Sequence, residues 1–172
     1  VAQSLRQPEI NWRDMAAFQF DSAYSNLMLF REFSRFVIDD RPDFVSAERF
    51  PGAKHRIVGD IEAELARHPI TPHTYVVIVT RGHRRDGRAL GAVVRSDARY
   101  IGLIGSKRKI VTIFDELHRQ GVSREQLARV HAPIGLDLGA VTPAEIAVSI
   151  AAELIAVRRG RGGGRSSVVE SM

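Results

Sequence analysis

The sequence predicts an α/β domain in three layers, with a mainly parallel sheet between helices. Short apolar runs rich in β-branched residues alternate with helical segments, and each run ends in a polar turn. The clearest run is Tyr75–Val79, whose continuous apolar residues are typical of a strand buried on both faces of a parallel sheet. With 172 residues, 44% of them hydrophobic, the chain is long enough to form one domain with a sizeable core.

The composition excludes several classes of protein. The net charge is +5, part of it from four arginines in Arg158–Arg165, and no basic stripe is interleaved with aromatic side chains as on a nucleic-acid-binding surface. The chain has no cysteine, which excludes a disulfide framework, a thiolate metal site and a cysteine nucleophile. No apolar run approaches the roughly 18 residues that a membrane helix needs, so we expect a cytoplasmic protein without a membrane span.

The N-terminal residues 1–34 are predicted to form an arm or a diverged segment outside the main domain. Within this segment Asp21 or Ser22 could cap a helix whose apolar residues recur at a spacing of three. The main domain is predicted to span residues 35–160. The last residues, 161–172, are rich in glycine, arginine and serine, and we expect them to be disordered.

The first half of the main domain contains three predicted strands and a short helix. Residues 36–38 form a β-favouring run that should stop at Asp39, before an acidic turn that a proline closes. Residues 55–58 are a second short run, and residues 61–66 form a helix that two prolines limit. The third strand is the Tyr75–Val79 run.

The second half of the main domain is predicted to be mostly helical. A helix over residues 89–95 should follow the polar turn of residues 80–86, and the next strand leads into a helix over residues 110–120. A serine and a glutamine at capping-box spacing predict a small helix over residues 123–130. The last helix, residues 142–158, begins with Thr-Pro-Ala-Glu, which supplies an N-cap, a proline at the first position and a glutamate at the third.

The segment Tyr100–Lys109, with sequence Y-I-G-L-I-G-S-K-R-K, is the best candidate for an anion site. Its apolar residues favour a buried strand, Gly105 permits close approach of the backbone, and Ser106 can cap the following helix. A helix start presents unpaired N–H groups and a partial positive charge, which the three consecutive cations strengthen. The same residues are also ordinary turn chemistry between a strand and a helix, so the pattern alone leaves both interpretations open.

Four polar clusters follow the predicted strands: residues 39–41, 80–86, 105–109 and, in an irregular loop, 133–137. Ligands of parallel sheets bind outside the carboxyl ends of the strands, so we expect these clusters to share one edge. The candidate cofactor-binding residues in and beside them are Asp39, Arg41, Gly82, His83, Asp86, Gly102, Gly105, Ser106, Lys107, Arg108, Pro133, Gly135 and Asp137. The sequence predicts neither a catalytic set nor a metal-binding set.

Two interpretations of Asp39 remain open. An acid at the end of a strand can accept the hydroxyls of a ribose, as in dinucleotide-binding folds, but such folds have a G-x-G-x-x-G turn about 20 residues upstream. The only glycines before residue 61 are Gly52 and Gly59, so this sequence has no such turn upstream of Asp39. The alternative is that Asp39 and Asp40 end the strand and pair with Arg41.

The turn T-R-G-H-R-R-D contains a second candidate pair. His83 could polarise or protonate a ligand, and Asp86, three residues later, could orient its imidazole if the segment turns helically. The alternative is that Asp86 caps the helix that follows. One histidine and one carboxylate are too few for a metal site, which needs three or four ligands.

Two glutamates of the last helix call for partners. Glu145 is best explained as the reciprocal partner of the Thr142 cap. Glu153 lies among alanines, leucine and isoleucine, so we expect a partner for its charge, either a buried arginine or a neighbouring protomer. No nucleophile with a base and an orienting group stands out.

Ordered motifs across residues 36–160 resemble the C-terminal domain of the XdhC/CoxI family. They are V-I-D-D-R-P-D-F with R-F-P-G-A, T-R-G-H-R-R-D, Y-I-G-L-I-G-S-K-R-K, H-A-P-I-G-L-D-L-G-A and T-P-A-E-I-A-V-S-I-A-A-E-L-I-A-V-R-R-G. The resemblance implies a Rossmann-like domain. Its specificity lies in the order of the motifs, which single short patterns do not provide.

The resemblance also implies a function and partners. Proteins of this family serve molybdenum hydroxylases such as xanthine dehydrogenase: they bind the molybdenum cofactor, hold it while a cysteine desulfurase provides the terminal sulfur, and deliver it to the apoenzyme. This role is closer to a chaperone than to an enzyme. The cofactor is a pyranopterin with a phosphate, sometimes joined to a nucleotide, so the turn Ser106–Lys109 would have an anionic guest. We also expect a homodimer.

The sequence departs from the family pattern in two respects. It lacks the family's N-terminal domain with its cysteine-bearing motif, and it lacks the first strand with a glycine-rich loop that should precede V-I-D-D-R-P. Two other functions stay open beside this one, and the missing glycine loop argues against the first of them. One is an NAD(P)-dependent oxidoreductase, based on Asp39 at a strand end, and the other is a non-catalytic dimerisation module built on the alanine-rich last helix.

Overall fold

The structure is a computed structural model that describes residues 36–80 and 82–161. Its strands are β1 (Phe36–Asp39), β2 (His55–Val58), β3 (Tyr75–Ile78), β4 (Tyr100–Leu103) and β5 (Val130–His131). Its α-helices are α1 (Ile61–Arg67), α2 (His83–Val93), α3 (Lys107–Arg119), α4 (Arg124–Ala128) and α5 (Pro143–Arg158), and a 3₁₀ turn spans Pro42–Phe44. The expectations for residues 1–34, including the missing strand and glycine loop, and for the tail from residue 162 lie outside the described residues.

All the pairs between these strands are parallel. β1 pairs with β2 in a two-stranded sheet, with Phe36 opposite His55. β3, β4 and β5 form a three-stranded sheet in that order, with Tyr75 opposite Tyr100 and Ile101 opposite Val130. The predicted α/β class with a parallel sheet is confirmed, and the carboxyl ends of neighbouring strands lie together as the sequence analysis required.

The main core lies between the three-stranded sheet and helices α2 and α3. Leu90 and Val93 of α2 meet Ile110 and Phe114 of α3 and Leu103 of β4, and none of these side chains is more than 1% exposed. Full burial of such a side chain contributes about 1.5–3 kcal/mol relative to exposure. This cluster therefore fixes the two loops that start α2 and α3 relative to the sheet.

A second, smaller cluster covers the opposite face of the same sheet. Because side chains alternate along a strand, Tyr100 points away from the main core. It packs with Ile134 of the loop after β5 and with Ile150 and Leu154 of α5. Helices thus lie on both faces, which gives the predicted three layers.

The predicted caps of three helices are confirmed. Ser106, Ser123 and Thr142 are the N-caps of α3, α4 and α5, and each side chain accepts a bond from the backbone N–H three residues later. Gln126 and Glu145 complete reciprocal capping boxes. These starts are set by local chemistry, so the sequence alone is enough to find them.

Helix α2 departs from the prediction. It begins at His83 rather than at residue 89 and ends at Val93, so most of the polar turn T-R-G-H-R-R-D is the first turn of the helix. Its N-cap is Gly82, with φ 95° and no side-chain cap bond. A glycine cap leaves no side-chain signature in the sequence, which is why the start was placed too late.

The strands also differ from the prediction in burial. Only Ile78 of β3 is buried, and the other three residues of that strand are half-buried, whereas β4 is buried at every residue. Both faces of β3 are covered as expected, Val76 and Ile78 by the main core and Tyr75 and Val77 by the apolar cluster of α5. Burial is incomplete because, among the described strands, β3 pairs along one edge only. Val130, expected at the end of a helix, instead starts β5.

The two sheets are joined through helices α1 and α2. Ile61 and Leu65 of α1 pack against the main core. Arg88 of α2 donates to Glu62 of α1 at 2.8 and 2.6 Å. Among the helices of residues 36–80 and 82–161, none has the length and apolar character required to cross a membrane.

Candidate functional site

Three loops meet at the carboxyl ends of β3 and β4. The N–H of Ile104 donates to the carbonyl of Ile78 at 3.1 Å and so extends the pairing beyond the strands. The N–H of Ile134 donates to the carbonyl of Leu103 at 3.0 Å, which brings the loop after β5 to the same edge. The sequence prediction that these polar clusters share an edge is supported by this geometry.

Asp86 joins two of these loops. Its side chain is fully buried, and Oδ1 accepts bonds from the backbone N–H of Thr80 at 3.1 Å and from Thr80 Oγ1 at 2.6 Å. Oδ2 accepts no hydrogen bond of normal geometry from the described residues, and its partner is the charge of Lys109, whose Nζ lies against it. The predicted roles of Asp86, orienting His83 or capping α2, are therefore wrong.

This ion pair divides the three consecutive cations at the start of α3. Lys109 points back to Asp86, and its Nζ also lies 3.5 Å from the carbonyl of Ile104. Lys107 and Arg108 are exposed, and the structure gives neither side chain a partner among the described residues. An anion at this helix start would therefore meet two cations and not three.

The cluster after β1 has a different character. Arg41 donates from Nε to Asp39 Oδ1 at 2.9 Å and from Nη2 to Oδ2 at 3.0 Å, and its backbone N–H adds a bond to Oδ1 at 3.0 Å. Its guanidinium lies 3.3 Å from the centroid of the Phe44 ring. Both carboxylate oxygens of Asp39 are thus engaged locally, which favours the strand-ending interpretation and weighs against a ribose site.

Asp40 was expected to pair with Arg41, and that expectation was wrong. Its carboxylate forms an ion pair with Arg85 of α2, the helix that packs on the three-stranded sheet. This contact brings the end of β1 close to the start of α2. The cluster after β1 is in this way tied to the other three.

Gly82 and His83 lie at the open start of α2. A Cβ at Gly82 would meet no heavy atom within 4 Å, so the left-handed φ, and not crowding, requires glycine there. His83 is exposed. Both are accessible to a ligand at the carboxyl edge.

Gly102 and Gly135 are explained by packing. A Cβ on Gly102 would lie 2.7 Å from Ile134 Cγ1 and 2.7 Å from the Tyr100 hydroxyl oxygen. At Gly135, φ is 96° and a Cβ would lie 3.2 Å from the backbone nitrogen of Ile150. Each glycine lets the loop after β5 come close to its neighbours.

Two of the remaining candidates, Pro133 and Asp137, lie in that same loop. The peptide bond between Ala132 and Pro133 is cis, and Asp137 is exposed. Gly105, at the end of β4, would place a Cβ 3.0 Å from the flexible side chain of Lys109. Glycine at this position therefore leaves room for the side chain of Lys109.

A buried polar network behind the sheet was not predicted. Glu153 of α5 accepts from the Tyr100 hydroxyl at 2.5 Å and from the backbone N–H of Gly135 at 2.8 Å, and its Oε1 lies 2.9 Å from His131 Nδ1. The sequence correctly indicated that Glu153 has a partner, but neither an arginine nor another protomer fills that role here. A tyrosine 53 residues away carries no local signal of such a contact.

The network controls the ionisation of its members. Burial raises the pKa of Glu153, but the bonds from His131, Tyr100 and Gly135 outweigh it and bring that pKa below its usual range. Burial, together with the carboxylate beside it, raises the pKa of Tyr100 far above its usual range. Glu153 is therefore a carboxylate and Tyr100 a neutral hydroxyl donor at neutral pH.

Comparison with known families decides the identity of the domain. A family model described as the XdhC Rossmann domain matches residues 17–154. The chain belongs to the XdhC Rossmann domain family. The match begins at residue 17, within the segment 1–34 that the sequence analysis placed outside the main domain.

Relatives of this XdhC domain are known in Bacillus and Escherichia. A protein of Bacillus subtilis, described as a probable xanthine dehydrogenase subunit, is 30% identical over 78% of this chain and 39% of its own length. The molybdenum cofactor insertion chaperone PaoD of Escherichia coli is 29% identical over 58% of this chain and 31% of its own. The chain thus spans less than half the length of these relatives.

A solved structure has the same fold. The crystal structure of a xanthine dehydrogenase from Bacillus halodurans superimposes with a TM-score of 0.71 and 29% sequence identity, over 84% of this chain and 42% of that one. The Rossmann-like fold implied by the motifs is confirmed. Within residues 36–80 and 82–161, no group of three or more histidine, aspartate or glutamate side chains could hold a metal ion.

Proposed function

We propose that this domain belongs to an accessory protein that holds the molybdenum cofactor and delivers it to a xanthine dehydrogenase-type enzyme. Family membership and the chaperone PaoD among its relatives support this role. The observation that carries the proposal is the pair of exposed cations, Lys107 and Arg108, at a capped helix start on the carboxyl edge of a parallel sheet.

The residues at this edge fit the phosphate end of such a cofactor. Lys107 and Arg108 have no partner within residues 36–80 and 82–161. Free cations and the N–H groups of a helix start are the donors that a phosphate prefers. The open start of α2, with Gly82 and His83, adds backbone and imidazole on the adjacent side. In this arrangement the chain binds and orients, and the molybdenum centre supplies its reactivity only after delivery to the client enzyme.

The test is an equilibrium titration of the full chain with molybdenum cofactor and, separately, with a nucleoside monophosphate. We expect Lys107→Ala and Arg108→Ala each to weaken binding about tenfold, since each removes one charge-assisted contact. Arg119→Ala is the matched control, because Arg119 is an exposed cation at the other end of α3. Equal affinity in the wild type, both variants and the control would remove this turn from the site.

The partners of the domain are part of the same proposal. A cysteine desulfurase would add the terminal sulfur while the cofactor is held, and the client would be a molybdoenzyme of the xanthine dehydrogenase type. Co-purification of tagged chain with each purified candidate, with and without cofactor, tests both contacts. Retention of neither protein at micromolar concentration would contradict the assignment.

Self-association is proposed for helix α5. Val148 of α5 and Val141 just before it are 55% and 71% exposed, and these apolar side chains suit a docking surface for a second copy. Sedimentation of the wild type and of Val148→Glu measures the oligomeric state of each. We expect a dimer that the charged variant converts to a monomer, and a wild-type monomer at high concentration would refute it.

A further inference from the structure

A polar cavity lies near the starts of β4 and β5, whereas the proposed cofactor site lies at the carboxyl ends of the strands. It has a volume of about 190 Å³ and is lined by Ala98, Arg99, Ile101, Arg129 and His131. Ala98 and Arg99 immediately precede β4, and Arg129 immediately precedes β5. The cavity is below the usual size of a cofactor pocket but has room for a small ion with some water.

His131 lines this cavity, and its ring is held by the buried Glu153. Its side chain is 10% exposed, its Nδ1 is bonded to Glu153 Oε1 at 2.9 Å, and its ring centroid lies 4.5 Å from that of Tyr100. Glu153 engages Nδ1, and His131 Nε2 has no hydrogen-bond partner among the described residues. A carboxylate bonded to one ring nitrogen of a histidine fixes the orientation of the ring.

The two arginines supply further donors that the fold does not use. Among the described residues the guanidinium of Arg99 has no partner. Arg129 donates to the carbonyls of Ser96 at 3.1 Å and Ala98 at 3.0 Å, which leaves three of its five N–H groups available. None of the five lining residues is a carboxylate, so the charge of the cavity wall is positive.

We propose that this cavity is a binding site for a small oxyanion, a phosphate or a carboxylate, which Arg99 and Arg129 would contact beside the ring of His131. Guanidinium groups bind both kinds of anion through paired N–H groups. The site shares no residue with the one proposed for the cofactor. It therefore stands or fails independently of that function.

The experiment follows the ring nitrogens of His131 by NMR in the full 172-residue chain. Inorganic phosphate and acetate are titrated in separate arms at constant pH and ionic strength. We expect a saturable shift of His131 Nε2, and an apparent affinity at least about tenfold lower in Arg99→Gln, because one charged donor is lost. Arg99 is exposed and without a partner among the described residues, so this variant should leave the fold intact.

Two control variants separate this site from others. Arg119→Gln removes an exposed cation elsewhere, and Lys107→Ala removes one from the proposed cofactor site, and neither should change the response of His131. A shift in both arms, or in one of them, supports the site and identifies which anion it prefers. A linear response without saturation, no response, or equal affinity in Arg99→Gln and the wild type would overturn the proposal.

Discussion

Neighbouring side chains of one charged run have opposite roles in this domain. Lys109 neutralises the fully buried Asp86, while Lys107, two residues earlier, is exposed. An alternation of this kind follows from helix geometry, since residues two apart on a helix point in different directions. A basic run in a sequence therefore does not report how many of its charges are available to a ligand.

The first prediction compares these two lysines. Lys109→Met should lower the free energy of unfolding by about 3–5 kcal/mol, because it leaves the buried carboxylate of Asp86 without its counter-charge. Lys107→Met should change it by no more than about 0.5 kcal/mol. Urea denaturation followed by circular dichroism measures both. Equal stability of the two variants would show that the ion pair contributes nothing.

The second prediction concerns the close contact at Gly102. Gly102→Ala should destabilise the domain by about 1–3 kcal/mol, since the added methyl group would overlap Ile134 and the Tyr100 hydroxyl. Gly87→Ala is the control, because a Cβ there lies 3.9 Å from Ile113 and alanine suits the interior of a helix. The thermal melting temperature should fall for Gly102→Ala and should rise or stay unchanged for Gly87→Ala. A fall in both would indicate a general intolerance of substitution.

The third prediction is a pH dependence that originates at Glu153. Its pKa in the folded protein lies below the ordinary value of 4.5, so its contribution to stability is present above that pH and is lost as the pH falls through the folded pKa. Glu153→Gln should cost about 2 kcal/mol at pH 7 because a charged acceptor is lost. The difference in the free energy of unfolding between wild type and Glu153→Gln should shrink as the pH falls below about 4.5.

Chemical denaturation at a series of pH values checks this behaviour. Glu116→Gln is the matched control, since Glu116 is exposed on α3 and the structure gives its side chain no partner among the described residues. A constant difference between wild type and Glu153→Gln from pH 7 to pH 3 would contradict the assigned role of the carboxylate.

At the level of elements, helix starts with a polar cap were the most predictable features. The threonine and glutamate of the α5 capping box identify its first turn without any tertiary information. The start of α2 and the existence of β5 were missed, because a glycine cap and a two-residue strand depend on their neighbours and leave no periodic pattern.

The fourth prediction tests the α5 cap. Thr142→Ala should destabilise the domain by about 1 kcal/mol, because the N–H of Glu145 loses its acceptor. Thr142→Ser keeps a hydroxyl at the same position and should stay close to wild type. The urea concentrations at the unfolding midpoints of wild type and both variants test this prediction. An alanine variant as stable as the serine variant would count against the cap.

At the scale of the candidate site, the sequence indicated where polar loops converge but not what each side chain contacts. The edge shared by the loops after β3, β4 and β5 follows from parallel strand order, which the apolar runs encode. The partners of Asp86 and Glu153 come from distant residues and are set by tertiary packing. Such pairings could not be read from spacing along the chain.

Within residues 36–80 and 82–161, the molecule combines a deeply buried three-stranded sheet with a two-stranded sheet that is less buried. β4 is buried at every residue, whereas no residue of β1 or β2 is fully buried. The links between the sheets include the apolar contacts of α1 and two ion-pair contacts, Asp40 with Arg85 and Glu62 with Arg88, whose side chains are partly exposed. Exposed pairs of this kind contribute only about 0–1 kcal/mol each.

This difference in attachment has a consequence for the kinetics of amide hydrogen exchange. Amides of β1 and β2 should exchange through a partial opening that leaves the rest folded, while those of β4 should exchange only through global unfolding. Raising the salt concentration should speed the first process and not the second, since screening weakens the ion pairs. Mass spectrometry of peptides from the two regions measures this, and identical protection in both would mean that the domain opens as one cooperative unit.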